Sequence, residues 1–238
     1  MLSIKNLEAG YGKVKVLHGI NIDVPKGQVI TLIGSNGAGK TTTMRAITGM
    51  IKPTAGEVTL GGEKIDGYDS HKIACLGLAH SPEGRRVFTT MSVTDNLLLG
   101  AFPRFTGSRP KGDIKHDLEK SLEMFPRLKE RRNQLAGTLS GGEQQMLAMA
   151  RILRTGAKLL LLDEITEGLA PVIVERLGQI VTALRERGFT IVLVEQNFRF
   201  AAPLADRHYV IEHGKVAKVV RQDELAANMG VLNELLGV

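Results

Sequence analysis

The feature that most constrains the fold of this chain is the glycine-rich stretch at residues 34–41, Gly-Ser-Asn-Gly-Ala-Gly-Lys-Thr. It fits the pattern G-x-x-x-x-G-K-[ST], in which backbone N–H groups wrap the phosphates of a nucleotide. The stretch directly follows the apolar run Val29–Ile33 and opens a helical pattern from Thr41 to Met50. Strand, loop and helix in that order are the context that this motif requires. The sequence therefore predicts a phosphate site at the end of a buried strand.

Each residue type in this phosphate loop suits an anion. Glycines let the backbone approach the phosphates, and the following helix directs its positive end at them. Lys40 is expected to counter charge on the β and γ phosphates, and the Thr41 hydroxyl to ligate Mg²⁺. The predicted nucleotide-binding residues here are Gly34, Ser35, Asn36, Gly37, Ala38, Gly39, Lys40, Thr41 and Thr42.

Alternating patterns along the chain predict an α/β fold. Ile4–Leu7 and Leu17–Val24 alternate apolar with polar residues, as in a partly exposed antiparallel sheet. The runs Val29–Ile33, Leu159–Leu162 and Ile191–Val194 are continuously apolar, which is typical of parallel strands buried on both faces. Helices are predicted at Thr41–Met50, Val93–Leu99, Ile114–Phe125, Glu143–Arg154, Pro171–Arg187, Asn197–Leu204, Asp223–Asn228 and Val231–Leu236.

The predicted organisation is a single domain, residues 1–238, with a helical lobe at about 88–155 inserted within it. Phe102–Asp113 is the one stretch that resembles a linker, and it is too short to separate independent domains. From residue 102 to 132 there are nine Lys or Arg (104, 109, 111, 115, 120, 127, 129, 131, 132) against five acids. This basic excess is either a solvated helical face or a surface beside a membrane.

Composition excludes several classes of protein. The 31 Lys and Arg against 25 Asp and Glu give a net charge of +6, which indicates an anionic partner: nucleic acid, a membrane surface or a phosphorylated molecule. The lone Cys75 rules out an intrachain disulfide framework. Neither a signal-peptide pattern nor a run of about 18 apolar residues is present, so a soluble, unexported chain is expected.

Two further elements point to nucleotide chemistry. Asp163 and Glu164 follow a buried strand, at the sheet edge where open α/β folds bind ligands. Asp163 is expected to hold Mg²⁺, and Glu164 to polarise an attacking water. Farther along, Ser140 and Glu143 form a capping box, which is a purely structural explanation for both residues. The adjacent Gly141 and Gly142 exceed that need and predict a second anion site at a helix start, as for a nucleotide shared between two copies.

Taken together, Tyr11, the phosphate loop, the Leu139–Glu143 segment and Leu159–Glu164 resemble the ATPase subunit of ATP-binding-cassette (ABC) transporters over essentially the whole chain. The resemblance implies a P-loop NTPase with a RecA-like parallel-sheet core, an N-terminal antiparallel β subdomain and an inserted helical lobe. It also implies ATP and Mg²⁺ as ligands, Tyr11 stacking on adenine, and two ATPs sandwiched in a dimer. In that dimer the residues acting on the partner's ATP are Leu139, Ser140, Gly141, Gly142 and Glu143.

Four positions depart from the commonest family pattern. Glu83 replaces a Gln that contacts Mg²⁺ and the γ phosphate, and the resemblance still implies a nucleotide and metal role for it. Gln196 replaces a His; it can donate the same hydrogen bond but cannot become charged. Ile165 replaces a Pro, and Ala170 replaces an Asp that commonly crosses the dimer interface. The implied catalytic residues are Glu164, Lys40 and Gln196, and the implied Mg²⁺ ligands are Thr41, Asp163 and Glu83.

The segments P-E-G-R-R, L-S-G-G-E-Q-Q-M-L, G-L-A-P and V-E-Q-N resemble the LivF-type ATPases of branched-chain amino-acid importers. Implied partners are a second ABC ATPase subunit, identical or related, two transmembrane permease subunits and, indirectly, an extracytoplasmic solute-binding protein. Such a subunit would lie at the cytoplasmic face of the inner membrane. Alternatives are an importer of urea, amides or aromatic acids, or a soluble nucleic-acid-associated ATPase. No nucleic acid is expected, because the long insertions or tandem cassettes of that last class are missing from the sequence.

Overall fold

Two β-sheets and the helices that cover them make up the part of the chain described by a computed structural model, residues 1–106 and 114–236. The strands are β1 (Leu2–Tyr11), β2 (Val14–Val24), β3 (Val29–Ile33), β4 (Ala55–Leu60), β5 (Glu63–Lys64), β6 (Leu78–Ser81), β7 (Leu159–Asp163), β8 (Thr190–Glu195), β9 (Arg207–Glu212) and β10 (Lys215–Arg221). The helices are α1 (Lys40–Ile47), α2 (Ser70–Cys75), α3 (Val93–Gly100), α4 (Phe102–Thr106), α5 (Ile114–Met124), α6 (Pro126–Glu130), α7 (Gly141–Leu153), α8 (Pro171–Glu186), α9 (Phe198–Ala201) and α10 (Leu225–Leu236). Short 3-10 turns occupy Ala136–Thr138 and Gln222–Glu224.

Within the described residues, the strands of the larger sheet lie in the order β10-β9-β3-β8-β7-β6. Every neighbouring pair of strands in this sheet is parallel except β10 with β9. The three strands that the apolar runs predict, β3, β7 and β8, are buried along their whole length. The prediction of a parallel core is therefore confirmed. β6 and β9 were not predicted, because His80 and the charged ends of β9 interrupt their apolar patterns.

Both faces of this sheet are covered. Alternate side chains such as Ile30, Leu161 and Val192 pack with α1 and the smaller sheet, whereas Leu160 and Leu193 pack with the helices of the opposite layer. The strands consequently need apolar residues at every position, which is why they read as continuous runs.

The smaller sheet has the described order β2-β1-β4-β5 and is antiparallel throughout. In β1 and β2 buried residues alternate with exposed ones, as expected for a sheet with one solvated face. The predicted N-terminal antiparallel β subdomain is confirmed. The structure adds β4 and β5, which the sequence reasoning missed.

Helices α3 to α7 lie between β6 and β7 in the chain and form the helical lobe. Lobe residues such as Leu122, Phe125 and Leu147 share one buried cluster with Leu160 and Leu162 of the sheet. The linker prediction is wrong for residues 102–106, which are helical, and residues 107–113 lie outside the described part. Across the described ranges, no helix combines the length and apolar character needed to cross a bilayer.

Several arginines of the lobe are paired with acidic residues. Four of its arginines form ion pairs, Arg104 with Asp117, Arg127 with Glu130, Arg131 with Glu143 and Arg132 with Glu119. Arg109 and Lys111 lie outside the described residues. Asp117, Glu119 and Glu130 are already among the five acids counted, so only the Arg131–Glu143 pair reduces the net basic excess, and both explanations of it remain open.

Three predicted helix boundaries are wrong. The two C-terminal helices are one helix, α10, because Gly230 stays helical and the fully buried Leu232 anchors the segment to the core. Helix α1 ends at Ile47 rather than Met50, since Gly49 turns the chain with φ of +70° and a Cβ there would lie 2.5 Å from the Tyr68 carbonyl oxygen. Helix α9 is shorter than predicted and covers only Phe198–Ala201.

Candidate functional site

The phosphate loop joins β3 to α1, as its sequence context predicts. Two of its glycines are required by close packing. A Cβ on Gly34 would lie 2.2 Å from the carbonyl oxygen of Ile211 in β9, and one on Gly39, whose φ is +112°, would lie 2.9 Å from Leu17. The Ala38 carbonyl also accepts a hydrogen bond from the Gly214 N–H at 2.8 Å. The loop is therefore held from below by elements distant in sequence.

The remaining loop residues divide by exposure. Ser35, Asn36 and Gly37 are exposed at the loop tip, Ala38 and Gly39 are buried, and Thr41 and Thr42 start α1, with Thr41 half-buried and Thr42 buried. The exposed tip leaves backbone N–H groups accessible to an anion, at the positive end of α1.

The Lys40 side chain is folded into the loop that precedes it. Its Nζ donates hydrogen bonds to the carbonyl oxygens of Gly34 at 2.7 Å and Ser35 at 3.0 Å, and only 4% of the residue is exposed. Burial lowers the pKa of Lys40, while the carboxylates of Glu164, Asp163 and Glu195 oppose this change. Glu164 is close, with its Oε1 3.9 Å from Nζ. An ammonium so placed can bind phosphate oxygens that enter the loop.

Asp163, the last residue of β7, is buried with 2% of its surface exposed. Burial raises its pKa to about 6, with further upward contributions from Glu164 and Glu83. Its Oδ1 has no hydrogen-bond partner within the described residues. A buried carboxylate oxygen without a donor is costly unless a cation satisfies it, and hard divalent cations prefer such ligands. The residues present therefore fit Mg²⁺.

Glu164 and Gln196 face each other beyond the ends of β7 and β8. Gln196 Nε2 donates to Glu164 Oε1 at 2.7 Å. The backbone of Glu164 is left-handed, with φ of +46°, and its N–H is fixed by the Val194 carbonyl at 2.9 Å. A strained residue held by its surroundings is typical of a functional position.

Carboxylate oxygens of Glu83, Glu164 and Glu167 lie within 4.8 Å of one another. Glu83 follows β6, the neighbour of β7, so parallel pairing brings its loop beside Glu164. Glu167 was missed by the sequence reasoning, although its spacing of three residues from Glu164 within one turn was a usable signal. The cluster concentrates negative charge where a metal or cationic partner would be stabilised.

A second missed pair connects the loop after β7 to β8. The Glu195 carboxylate is buried and accepts hydrogen bonds from the Thr166 N–H at 3.2 Å and the Thr166 hydroxyl at 2.8 Å. Burial nevertheless raises the pKa of Glu195 to about 7. The usable signal was a carboxylate directly after the apolar run Ile191–Val194. Ile165, between these elements, is fully buried in the core.

The Leu139–Glu143 segment begins α7, and the predicted capping box is present. Ser140 Oγ accepts from the Glu143 N–H at 3.4 Å, and Glu143 Oε2 accepts from the Ser140 N–H at 2.9 Å. Burial acts to raise the pKa of Glu143, but the Ser140 hydrogen bonds and the Arg131 guanidinium lower it overall. A Cβ on Gly142 would lie 2.9 Å from Ile173, so packing already gives a reason for this glycine.

Tyr11 is the last residue of β1, and 42% of it is exposed. Its hydroxyl accepts from Arg45 Nη1 at 3.1 Å, and the Arg45 guanidinium lies 5.8 Å from the ring centre. Since Arg45 belongs to α1, the Tyr11 ring lies beside the helix that follows the phosphate loop.

The structure thus gathers Lys40, Asp163, Glu164, Gln196 and Glu83 at the carboxyl ends of β3, β6, β7 and β8. A cleft of about 350 Å³, lined in part by Arg85, Gln144, Glu164 and Glu167, separates this group from the start of α7.

Comparison with known proteins identifies the family. The family model described as ABC transporter matches residues 17–167. The chain belongs to the ABC transporter family. Within that family it is the ATP-hydrolysing, ATP-binding component, and it has the α/β P-loop fold.

Individual relatives of this ABC ATPase agree with that assignment. It is 45% identical over 237 residues to the high-affinity branched-chain amino acid transport ATP-binding protein BraG of Pseudomonas aeruginosa, covering 100% of both chains. It is 36% identical to the probable branched-chain amino acid transport ATP-binding protein LivF of Archaeoglobus fulgidus, covering 91% of this chain and 90% of that one. A crystal structure of a nucleotide-free ATP-binding cassette from an ABC transporter superposes with a TM-score of 0.86 at 25% identity, covering 100% of this chain and 98% of the other.

Proposed function

We propose that this ABC ATPase powers a membrane importer of the branched-chain amino-acid type by closing a nucleotide-sandwich dimer. The observation that carries the catalytic part is the Glu164 carboxylate, held by Gln196 at 2.7 Å and lying 3.9 Å from Lys40 at the mouth of the phosphate loop. The 45% identity with BraG over both full lengths supports the transport part.

The proposed catalytic residues are Glu164, Lys40 and Gln196. Glu164 orients a water for in-line attack on the γ phosphate and accepts its proton. Gln196 fixes the Glu164 carboxylate and can donate a hydrogen bond toward the γ phosphate. Lys40 and the N–H groups of residues 34–42 neutralise the phosphate oxygens.

Thr41, Asp163 and Glu83 are the proposed Mg²⁺ ligands. When bound there, Mg²⁺ would supply positive charge against the negative charge that develops during phosphoryl transfer. Asp163 gains most from it, because its buried Oδ1 lacks a donor and burial holds its pKa near 6.

In the proposed dimer, Leu139–Glu143 of each subunit covers the ATP held by the other, and Tyr11 stacks on adenine. The open cleft between Glu164 and the start of α7 in a single subunit supports this arrangement. Because Ala170 replaces the usual interface Asp, contact through the loop before α8 is expected to be weak.

The proposed partners are a second ABC ATPase subunit, identical or related, and two permease subunits, with the solute-binding protein reached indirectly. Four large apolar side chains on and beside α3 are 40% or more exposed: Phe88, Leu98, Leu99 and Phe102. Exposed apolar residues grouped beside a functional loop favour a protein interface. We assign the permease contact to this surface, and we propose that the subunit lies at the cytoplasmic face of the inner membrane.

The test combines chemistry with transport. The purified chain should release phosphate from Mg-ATP, and its Lys40→Ala variant should not. Co-expression with the permease genes should yield a complex that takes up radiolabelled leucine into vesicles only with internal ATP and with the solute-binding protein on the outer side. Phosphate release with uptake of urea or an amide instead would contradict the substrate class, and absence of phosphate release from the complex would contradict the enzymatic role.

A further inference from the structure

Arg85, in the loop between β6 and α3, lies directly against the first residue of α7. A Cβ built on Gly141 would be 2.6 Å from Arg85 Nη1, 2.9 Å from Cζ and 3.1 Å from Nη2. The guanidinium therefore occupies the space that any side chain at position 141 would take. The guanidinium is the mobile end of a long side chain, so these distances record where it lies rather than a need for glycine at position 141.

The guanidinium is in an electrostatically unfavourable place. The start of α7 carries the positive end of the helix dipole and backbone N–H groups that need acceptors. Arg85 adds a full positive charge there. Within the part of the chain that the structure describes, no ion pair or hydrogen bond involves the Arg85 side chain, although the Glu83, Glu164 and Glu167 carboxylates border the same region.

The backbone at Arg85 is also conformationally strained. Arg85 and Arg86 have φ of +65° and +36°, a region that side-chain-bearing residues rarely adopt. The loop is fastened by Arg151 of α7, which donates to the Arg86 carbonyl and lies 5.0 Å from the centre of the Phe88 ring. The strained loop thus holds the unpaired Arg85 guanidinium against the start of α7. An anion bound at this point would balance both positive charges.

We propose that Arg85 contacts the γ phosphate of the ATP held by the facing subunit, beside the N–H groups of Gly141 and Gly142. This inference rests on the nucleotide-sandwich dimer of the proposed function. The phosphate dianion supplies the charge that the α7 start and Arg85 both lack, and a guanidinium can bind two of its oxygens at once. Because ADP has no γ phosphate, Arg85 favours the dimer with ATP over the dimer with ADP.

The first test measures ATP-driven dimerisation in a Glu164→Gln background, in which ATP hydrolysis is too slow to dissociate the dimer. Arg85→Ala should weaken ATP-dependent dimerisation about tenfold or more, the loss expected for a charge-assisted hydrogen bond. Dimerisation of Arg85→Lys should be intermediate between that of the parent and that of Arg85→Ala, since lysine keeps the positive charge but cannot donate two parallel hydrogen bonds. Arg86→Ala is the matched control for charge and should change dimerisation less than twofold. ATP binding to the monomer through Lys40 should be unchanged in all variants.

Outcomes separate this inference from the proposed function. Equal or tighter ATP-driven dimerisation of Arg85→Ala overturns the role of Arg85. A parent that fails to bind ATP contradicts the proposed function instead. If the parent binds ATP but stays monomeric, the same variants are read in the assembled transporter, where Arg85→Ala should raise KM for ATP about fivefold or more and an unchanged KM overturns the inference.

A mixed pair shows on which nucleotide Arg85 acts. A Lys40→Ala subunit paired with an Arg85→Ala subunit keeps one site in which an intact phosphate loop meets an intact Arg85 across the interface. A Lys40→Ala/Arg85→Ala double variant paired with the unsubstituted subunit keeps none. ATPase activity in the first pair and its loss in the second is expected, and the reverse pattern would assign Arg85 to the nucleotide of its own subunit.

Discussion

Gln196 Nε2 lies 2.7 Å from Glu164 Oε1 and donates a hydrogen bond to it, joining the ends of two neighbouring parallel strands. The contact leaves the second oxygen of the Glu164 carboxylate available to a water. It also fixes the side chain without neutralising its charge, which a general base needs to retain.

Replacing Glu164 with Gln should preserve ATP binding and reduce turnover about 100-fold or more, because the amide keeps the shape but cannot accept a proton. Phosphate release and nucleotide titration measure the two effects. Glu167→Gln, in the same acidic cluster, is the control and should stay within a few-fold of the parent. Normal turnover by Glu164→Gln would remove it from the catalytic role.

Gln196→Ala should lower kcat about tenfold with a smaller change in KM, because it frees the Glu164 carboxylate without touching the phosphate loop. Gln196→His should restore a donor but add a pH dependence with a midpoint near the usual pKa of His, about 6.5. A kcat profile from pH 5.5 to 8 checks both. The same profile for Gln196→His and the parent would show that the side chain does not act on the reaction.

Glu195→Gln should raise the stability of the nucleotide-free protein increasingly as the pH rises. The folded protein holds the pKa of Glu195 at about 7, above the ordinary 4.5, so folding favours the protonated form. Between these values the unfolded chain loses the proton first, and the folded state loses stability with rising pH until both forms are ionised. Gln mimics the protonated acid and escapes that loss, on the order of 1–3 kcal/mol above pH 7.

Thermal unfolding at pH 5 and pH 8 measures this effect. The melting temperatures of the parent and Glu195→Gln should nearly coincide at pH 5 and separate at pH 8, with the variant higher. A lower melting temperature of the variant at pH 8 would show that the hydrogen bonds from Thr166 to the ionised carboxylate outweigh its burial.

Arg151→Ala should leave basal ATPase activity within a few-fold of the parent and weaken its stimulation by the permease. Arg151 connects the helix that begins at Gly141 to the loop containing Arg86 and Phe88, next to the proposed permease surface. The measurement is ATPase activity of the chain alone and in the assembled transporter. Arg127→Ala, which removes an exposed ion pair with Glu130 and makes no contact with the Arg86 loop, is the control. Unchanged stimulation would contradict coupling through Arg151.

The sequence was most informative where one local pattern determines the outcome. Val29–Ile33 needs apolar residues on both faces, so its pattern identifies a buried strand to the residue. Gly230 shows the opposite. A glycine inside a helix lowers helix stability by about 1 kcal/mol relative to alanine. Helix α10 nevertheless continues through Gly230 because Leu232 is buried, and this tertiary contact is not visible in any local pattern.

The site divides in the same way. Lys40, Asp163 and Glu164 carry recognisable motifs, and their proximity follows from parallel strands ending at one edge. Arg85 and Thr166 carry none. Their neighbours, Gly141 and Glu195, are 56 and 29 positions away in the sequence numbering, and only the folded chain brings each pair together.

The support of the phosphate loop has a consequence for synthesis of this chain. β3 is flanked by β8 and β9, Gly34 packs on Ile211, and Ala38 accepts a hydrogen bond from Gly214. These supporting elements, β8, β9, Ile211 and Gly214, all follow residue 167, where the match to the family model ends. A ribosome that has released the loop has therefore not yet released the surfaces that shape it. We therefore expect nucleotide binding to need the chain through Gly214, so that ATP would not stabilise a chain that ends before this residue.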